Sequence, residues 1–255
     1  MGRLDERVAV VTGAAGGFGS AIARRLHAEG ARVALWDIRE DDAVALGQGI
    51  AGDGTTLGVG VDIGDSAAVD AAAARTREAL GPIDILVNNA GVVNSAPPWE
   101  VTDADWDWHF RVNSTGAYYC IRACLPDMRE RRYGKIVNIG SVAAQQGRPT
   151  TSPAYAASKG AILGMTVSLA RNLGADGICV NAVNPGFIKT VIHDQFSAEQ
   201  LAPLMADIPL DRRGEPGAKG IPEDIAAAVA FLASPDSDFI TGEYLSVNGG
   251  SRTGS

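Results

Sequence analysis

The amino-acid sequence predicts an α/β fold, a doubly wound parallel sheet of about seven strands with helices on both faces. Three observations predict it. Short, nearly all-apolar runs alternate with longer segments of helical period. The strand candidates are apolar at almost every position rather than every second one, as strands covered on both faces must be. A glycine-rich turn joins the first strand to the first helix, the order that open parallel sheets use at their crevice. With 255 residues, about 46% of them hydrophobic, the chain has material for a large core and fits one domain, 1–255.

Taken in order, residues 7–12 form the first strand and 18–29 an amphipathic helix. Strand 32–36, helix 40–50, strand 55–61, helix 65–80 and strand 83–87 follow. The helical stretch 102–131 is long, and reads as two helices or as one helix broken near Asn113. Strand 135–139 precedes helix 153–173, where Ser152 caps the free N–H groups and Pro153 occupies the first turn. After strand 178–183 comes an irregular region, 186–221, interrupted by Pro203, Pro209 and Pro216. Connections this long inside a compact domain usually serve as lids or binding loops, and 198–206 within it can form a short helix. Pro222, Glu223 and Asp224 then open helix 222–233 in the order the helix dipole favours, and 244–247 is the last strand.

Charge narrows the partners. The 22 Lys and Arg residues face 30 Asp and Glu, a formal net charge of −8, which repels phosphate backbones and anionic lipid. No apolar stretch approaches the length of a membrane span and no secretory leader opens the sequence, so neither nucleic acid nor membrane is expected as a partner and the cytoplasm is the expected location. Cys120, Cys124 and Cys179 make no CxxC pair and no even disulfide framework. Cys120 and Cys124 share a helix face without a companion ligand, which reads as packing rather than a metal site.

The glycine turn is Thr12-Gly13-Ala14-Ala15-Gly16-Gly17-Phe18-Gly19. Gly13 permits the tight turn, Gly17 lets backbone approach a pyrophosphate, and Gly19 allows close helix packing, while the helix N-terminus offers free N–H groups. Gly16 and Phe18 are further candidate cofactor contacts. Glycines also serve plain turns, so the turn alone is weak. The second strand ends at Asp37, followed by Ile38. A carboxylate there accepts hydrogen bonds from adenosine ribose hydroxyls and repels a 2′-phosphate, favouring NAD over NADP, although Arg39 offers a phosphate an alternative partner and a strand-end acid also caps turns. Asp62 and Ile63 fall where an adenine would lie, with capping of the helix near Asp65 as the plainer reading. Asn89, Ala90 and Gly91 suit backbone pressed against a cofactor, or simply a turn.

Tyr155 and Lys159 stand four residues apart on one helix face. Such pairs are usually solvated. Combined with the glycine turn, the pair has chemical content, because an ammonium within reach stabilises a phenolate and brings it toward the working pH. Ser141, just past a strand, can hold a substrate oxygen beside Tyr155; it lacks the glycines of a nucleophile elbow. His27, His109 and His193 do not form a triad, and only His193 falls where substrate is expected. Val142, Trp99, Phe187 and Ile192 suggest an apolar substrate pocket.

These motifs, with Asn184-Pro185-Gly186 and the closing Val247-Asn248-Gly249-Gly250, resemble the short-chain dehydrogenase/reductase family in its compact, single-domain Rossmann type, over nearly the whole chain. The resemblance implies that Asn113 joins Ser141, Tyr155 and Lys159 as a fourth catalytic residue, bending its helix so that water links Lys159 to solvent. It implies that Lys159 holds the nicotinamide ribose, that Pro185, Gly186, Ile188 and Thr190 run along the nicotinamide, and that Val112, Ala90 and Gly91 lie near the adenosine and ribose. It also implies a homotetramer. The expected activity is NAD(H)-dependent interconversion of a small hydrophobic ketone and its secondary alcohol. The alternatives are a 3-oxoacyl thioester reductase, a sugar dehydrogenase, a non-redox epimerase or dehydratase, or a protein that only senses NAD. The run 212–221 is longer than the family's usual link.

Overall fold

The computed structural model describes residues 2–147, 151–188, 190, 197–212 and 219–253. Its seven strands form one parallel sheet in the order β3-β2-β1-β4-β5-β6-β7. They are β1 (Val8–Thr12), β2 (Arg32–Asp37), β3 (Thr56–Gly60), β4 (Ile85–Asn88), β5 (Gly134–Ile139), β6 (Ile178–Pro185) and β7 (Tyr244–Val247). Because β1 pairs with β2 on one side and β4 on the other, strand order reverses at β1, and a crevice opens beyond its C-terminal end.

Alternation along the strands builds two cores. Ala9 and Val11 of β1 face one layer with Ile22, Leu26, Ile225 and Val229, from α1 (Gly17–Ala28) and α9 (Pro222–Ala233). Val8 and Val10 face the other with Val69, Ile121 and Met128, from α3 (Ser66–Leu80) and α5 (Ala117–Arg131). The helix α2 (Glu40–Ile50) crosses from β2 to β3 with Glu40, Asp41 and Asp42 in its first turn, where the dipole stabilises them. On α3, Asp65 accepts the N–H groups of Ala67 and Ala68 at 2.9 and 3.3 Å.

The long stretch expected as two helices or a broken one is continuous. From α4 (Asp103–Phe110) it widens into a π-helical turn at Arg111–Gly116 and runs on as α5. Its start is a capping box in which Thr102 and Asp105 satisfy each other's backbone. The widening coincides with Asn113, whose amide is drawn off the helix axis by partners described below. Two helices complete the frame, the four-residue α6 (Ala143–Gln146), which the pattern did not signal, and α7 (Pro153–Leu173).

Side chains stitch the crevice where the ladder ends. Thr12 Oγ1 accepts the backbone N–H groups of Asn89 and Ala90, each at 3.0 Å, and Asn89 Nδ2 donates to the carbonyls of Thr12 and Gly13 at 2.9 and 3.0 Å. Across the next strands, Asn88 Nδ2 donates to Asn138 Oδ1, and Asn138 Nδ2 to Thr166 Oγ1 on α7, both at 2.9 Å. Farther along, the excursion after β6 is held at both ends by the turn that follows β7. Gly186 N donates to Val247 O at 2.9 Å, and Leu210 N to Gly249 O at 3.0 Å. Gly249 and Gly250 have φ of 60° and 86°, a region closed to most side chains. Within this excursion lies α8 (Ala198–Ala206), at the expected place.

The stitch predicts a stability effect. Thr12→Val keeps the shape but strands two backbone donors, so it is expected to destabilise the fold by about 1–3 kcal/mol. Urea denaturation would read this as a lower midpoint at unchanged m-value.

Candidate active site

Beyond the C-terminal ends of β1, β4 and β5 lies a cavity of about 630 Å³, within the roughly 300–1,000 Å³ usual for ligand pockets. Its floor is the glycine turn, with Gly13, Gly16, Gly17 and Phe18 in the wall. Gly13 has a φ of 61°, and a methyl group built on it would lie 2.8 Å from Ala90 Cα. Gly19 is not in the wall. It lies beneath the turn, where a methyl group would run into the Gly13 carbonyl, so its smallness serves packing. At Gly13 and Gly17 the cradle has room for backbone and little for a side chain, a methyl on Gly17 coming within 2.9 Å of Thr190, as close backbone approach to a dinucleotide phosphate requires.

Asp37 lines the same cavity with 6% of its surface exposed. Its carboxylate is fixed by two backbone donors, Ala15 N on Oδ2 and Arg39 N on Oδ1, both at 3.0 Å. Arg39 is turned toward acids, with Nη1 2.9 Å from Asp42 Oδ2 and Nε 3.7 Å from Asp37 Oδ1. Ile38 is a rim residue, 71% exposed. Asp62 and Ile63 are in the wall; since Asp65 caps α3, Asp62 is left to accept Gly64 N at 2.8 Å and pair with Arg111 at 3.0 Å. Asn89, Ala90, Gly91 and Val112 complete this half.

The other half gathers Ser141, Val142, Tyr155, Lys159, Pro185, Gly186, Phe187, Ile188 and Thr190. The loop bearing Ser141 is tied to β6 by Gly140 N on Val183 O (2.8 Å), Val142 N on Pro185 O (3.2 Å) and Asn184 Nδ2 on Gln145 Oε1 (3.2 Å). Any side chain at 140 would collide with Asn184 Oδ1, which explains the glycine before Ser141. Asn113, 1% exposed, stands just behind the wall. Its Oδ1 accepts Val92 N at 2.7 Å, while Nδ2 donates to Val92 O at 3.0 Å and to Ser158 Oγ at 2.9 Å. A methyl on Gly91 would come within 3.2 Å of Asn113 Oδ1 and 3.4 Å of Lys159 Nζ, so the two polar heads converge on that glycine.

One expected substrate contact does not stand here. Trp99 is 83% exposed and outside the lining, because its loop turns the ring toward solvent. Ile192, like His193, lies outside the described residues. The cavity is also bounded by Trp108, Thr151, Leu201 and Leu204. The leucines lie three apart on α8, a helical spacing visible in the sequence, but their partner surface was not.

Comparison with known proteins agrees with this geometry. A family profile described as enoyl-(acyl carrier protein) reductase matches residues 13–252. The 2-dehydro-3-deoxy-L-rhamnonate dehydrogenase (NAD(+)) of Sphingomonas sp. (strain SKA58) is 39% identical, covering 99% of this chain and 98% of its own. The chain belongs to the short-chain dehydrogenase/reductase family. Two further relatives of this oxidoreductase family cover 97% of the chain. They are subunit BbsD of the (2S)-((R)-hydroxy(phenyl)methyl)succinyl-CoA dehydrogenase of Thauera aromatica, 39% identical over 97% of its length, and the 3-oxoacyl-(acyl-carrier-protein) reductase FabG of Escherichia coli (strain K12), 37% identical over 98%.

In this short-chain dehydrogenase/reductase the electrostatics differ from the expectation that Lys159 brings Tyr155 toward neutrality. Burial raises the Tyr155 pKa above the usual value, offset in part by its hydrogen bond with Ser141. Lys159 Nζ is turned to the Ile139 carbonyl at 2.7 Å, and burial pulls its pKa down to about 8. Both groups are therefore biased to their neutral forms, as desolvation dictates.

The lysine has a consequence for stability. Its folded pKa lies below the usual 10.5, so between about pH 8 and 10.5 the unfolded chain binds more protons, and stability rises with pH across that window. From pH 7 to 9.5 the wild type is expected to gain about 2 kcal/mol relative to Lys159→Met. Denaturant melts at the two pH values would measure it, and equal pH dependence in both proteins would refute it.

Proposed function

We propose that the protein is an NAD(H)-dependent oxidoreductase that interconverts a small carbonyl and its secondary alcohol, with Tyr155 as the proton-transfer residue. The observation that carries this reading is that Ser141, Tyr155 and Lys159 line one end of a cavity whose other end is a glycine cradle. Bound NAD supplies the hydride acceptor or donor. Gly13, Gly16, Gly17 and Phe18 present backbone to its pyrophosphate, with Gly19 packing the turn from below. Asp37 meets the adenosine ribose beside Ile38, Asp62 and Ile63 flank the adenine, and Asn89, Ala90, Gly91 and Val112 bound that half. Pro185, Gly186, Ile188 and Thr190 lie along the nicotinamide half, with Lys159 at its ribose.

Ser141 holds the substrate oxygen and shares its hydrogen bond with the Tyr155 hydroxyl, which gives a proton to the carbonyl oxygen in reduction and takes one from the alcohol in oxidation. A phenol above its usual pKa is a weaker acid but stays protonated near neutral pH, the form that gives a proton in reduction. Lys159, near neutral-poised at about 8, takes up or returns the proton, and Asn113 fixes the wall behind it. Val142, Phe187, Leu201 and Leu204 favour an apolar substituent on the substrate. The family resemblance to homotetramers is supported by Trp106, Tyr118 and Val167, exposed on α4, α5 and α7.

NAD over NADP is supported by the buried Asp37 carboxylate and by the pairing of Arg39 with Asp42 and Asp37 rather than with a 2′-phosphate. Asp37→Ala should narrow the ratio of kcat/KM for NAD to that for NADP by about tenfold or more. A wild type that already prefers NADP would sink this reading of the acid.

The substrates named for the relatives diverge, so the assay spans several chemistries, with butan-2-ol, a 3-hydroxybutyryl N-acetylcysteamine thioester and a 3-deoxyaldonic acid, each followed as NADH absorbance. Tyr155→Phe is expected to lower kcat by about 10²–10⁴-fold while NADH affinity, read by fluorescence titration, stays within about twofold. Undiminished turnover by the variant would refute the role of Tyr155.

A further inference from the structure

Behind the cavity wall, His109 on α4 is wholly buried and has no part in the chemistry above. Its Nδ1 lies 2.7 Å from the Asp105 carbonyl oxygen. A carbonyl only accepts, so Nδ1 carries the proton and Nε2 is an acceptor in the neutral ring. That Nε2 is buried and has no partner among the described residues. Leaving a buried acceptor unpaired is destabilising, a cost that an apolar ring of similar size at this position would avoid.

The imidazole meets the neighbouring Trp108 edge-on, with centroids 5.0 Å apart, and it also faces Tyr155. The two centroids are 6.3 Å apart with planes at 76°, an edge-to-face contact of the kind that fixes aromatic orientation. Asp105 also reaches the first turn of α7 by a second route. Its Oδ1 accepts Asn94 Nδ2 at 3.0 Å, and the Asn94 carbonyl accepts Ser152 N at 3.3 Å. Ser152 in turn caps α7 by accepting Ala154 N at 3.3 Å. Asp105 is itself held in the capping box with Thr102, whose hydroxyl keeps the carboxyl below its usual pKa range. One residue at the start of α4 thus braces both the helix that carries Tyr155 and the ring of Tyr155.

We infer that His109 is a positioning residue for Tyr155, an imidazole locked by the Asp105 carbonyl that holds the phenol ring edge-on so that its hydroxyl keeps its place in the cavity wall with Ser141. The inference rests on the reading of Tyr155 as the proton-transfer residue. A phenol pivots about two side-chain torsions, and a misplacement of about 1 Å in such a group can cost on the order of 10²-fold in rate. Packing, rather than the Nε2 lone pair, supplies the bracing, and this separates two substitutions. His109→Ala removes the brace, whereas His109→Phe keeps a ring of similar outline and removes the unpaired acceptor.

The test measures kcat and KM for both variants with whichever of the three alcohols the wild type oxidises, beside Tyr155→Phe. His109→Ala is expected to lose about 10–100-fold in kcat with KM for NAD within about twofold, and His109→Phe to recover to within about threefold of wild type. A second readout needs no substrate. The alkaline titration of Tyr155, isolated as the ultraviolet difference between each background and its Tyr155→Phe counterpart, should move toward the ordinary tyrosine value in His109→Ala as water reaches the ring, and stay in place in His109→Phe. Lys159, the titratable group that shares the cavity wall with that phenol, is the same in all of these proteins. Wild-type kcat in His109→Ala, equal impairment of the Phe variant, or an unmoved titration would each overturn the inference; if none of the alcohols is oxidised, the titration alone decides it. If Tyr155→Phe is slow but His109→Ala is fast, only the role of His109 falls. If Tyr155→Phe is as fast as wild type, the reading of the site falls with it.

Discussion

The joint between the ends of β1 and β4 is the constraint on which the rest depends. These strands are neighbours in the sheet but far apart in sequence, and the crevice that a parallel sheet opens at its reversal point lies between their continuations. Ladder pairing stops there, so the N–H groups of Asn89 and Ala90 need other acceptors. Thr12 supplies one oxygen for both, and Asn89 returns two bonds to the carbonyls of Thr12 and Gly13. The glycine turn is thereby clamped against Ala90 closely enough that Gly13 cannot carry a side chain. Cradle and crevice are one object, made rigid by four short hydrogen bonds.

A second polar seam extends this rigidity to the chemistry. From Asn88 through Asn138 to Thr166, amide and hydroxyl groups cross from β4 to β5 and into α7. Buried polar groups that bond one another specify one arrangement strongly, and in this seam only Asn88 Oδ1 is left without a partner among the described residues. Apolar packing alone would let α7 slide or rotate against the sheet. The seam fixes its rotation, and Tyr155 and Lys159 on the same helix inherit that fixed aim, toward Ser141 and toward the Ile139 carbonyl.

Much of this was legible in the sequence because the relevant forces are local or periodic. Glu40–Ile50, Pro153–Leu173, Pro222–Ala233 and Tyr244–Val247 have the expected ends, marked by proline, acids and turn residues. The cavity also unites most of the residues picked out by motif. What escaped depends on partners distant in sequence. The π-helical turn arises because Asn113 bonds Val92 and Ser158, and no periodicity within 102–131 encodes those contacts. His109 looked like one more helix residue until α7 was laid across it. Trp99 was read as a pocket residue on hydrophobicity alone, whereas a loop is free to leave a large ring in solvent. The acid/base pair suggests mutual stabilisation of charge; in the folded chain burial shifts both groups toward their neutral forms, Tyr155 upward and Lys159 down to about 8.

The turn after β7 holds both ends of the excursion that carries α8, through Val247 and Gly249. On the ribosome, Gly186 to Leu210 emerges well before those anchors do. The sheet's first six strands can therefore assemble while the segment that closes over the cavity still has nothing to hang from. The wall containing Leu201 and Leu204 is then finished only when β7 adds to the edge of β6, so the pocket matures last, and a nascent chain with a formed glycine cradle would still present an open, unselective mouth.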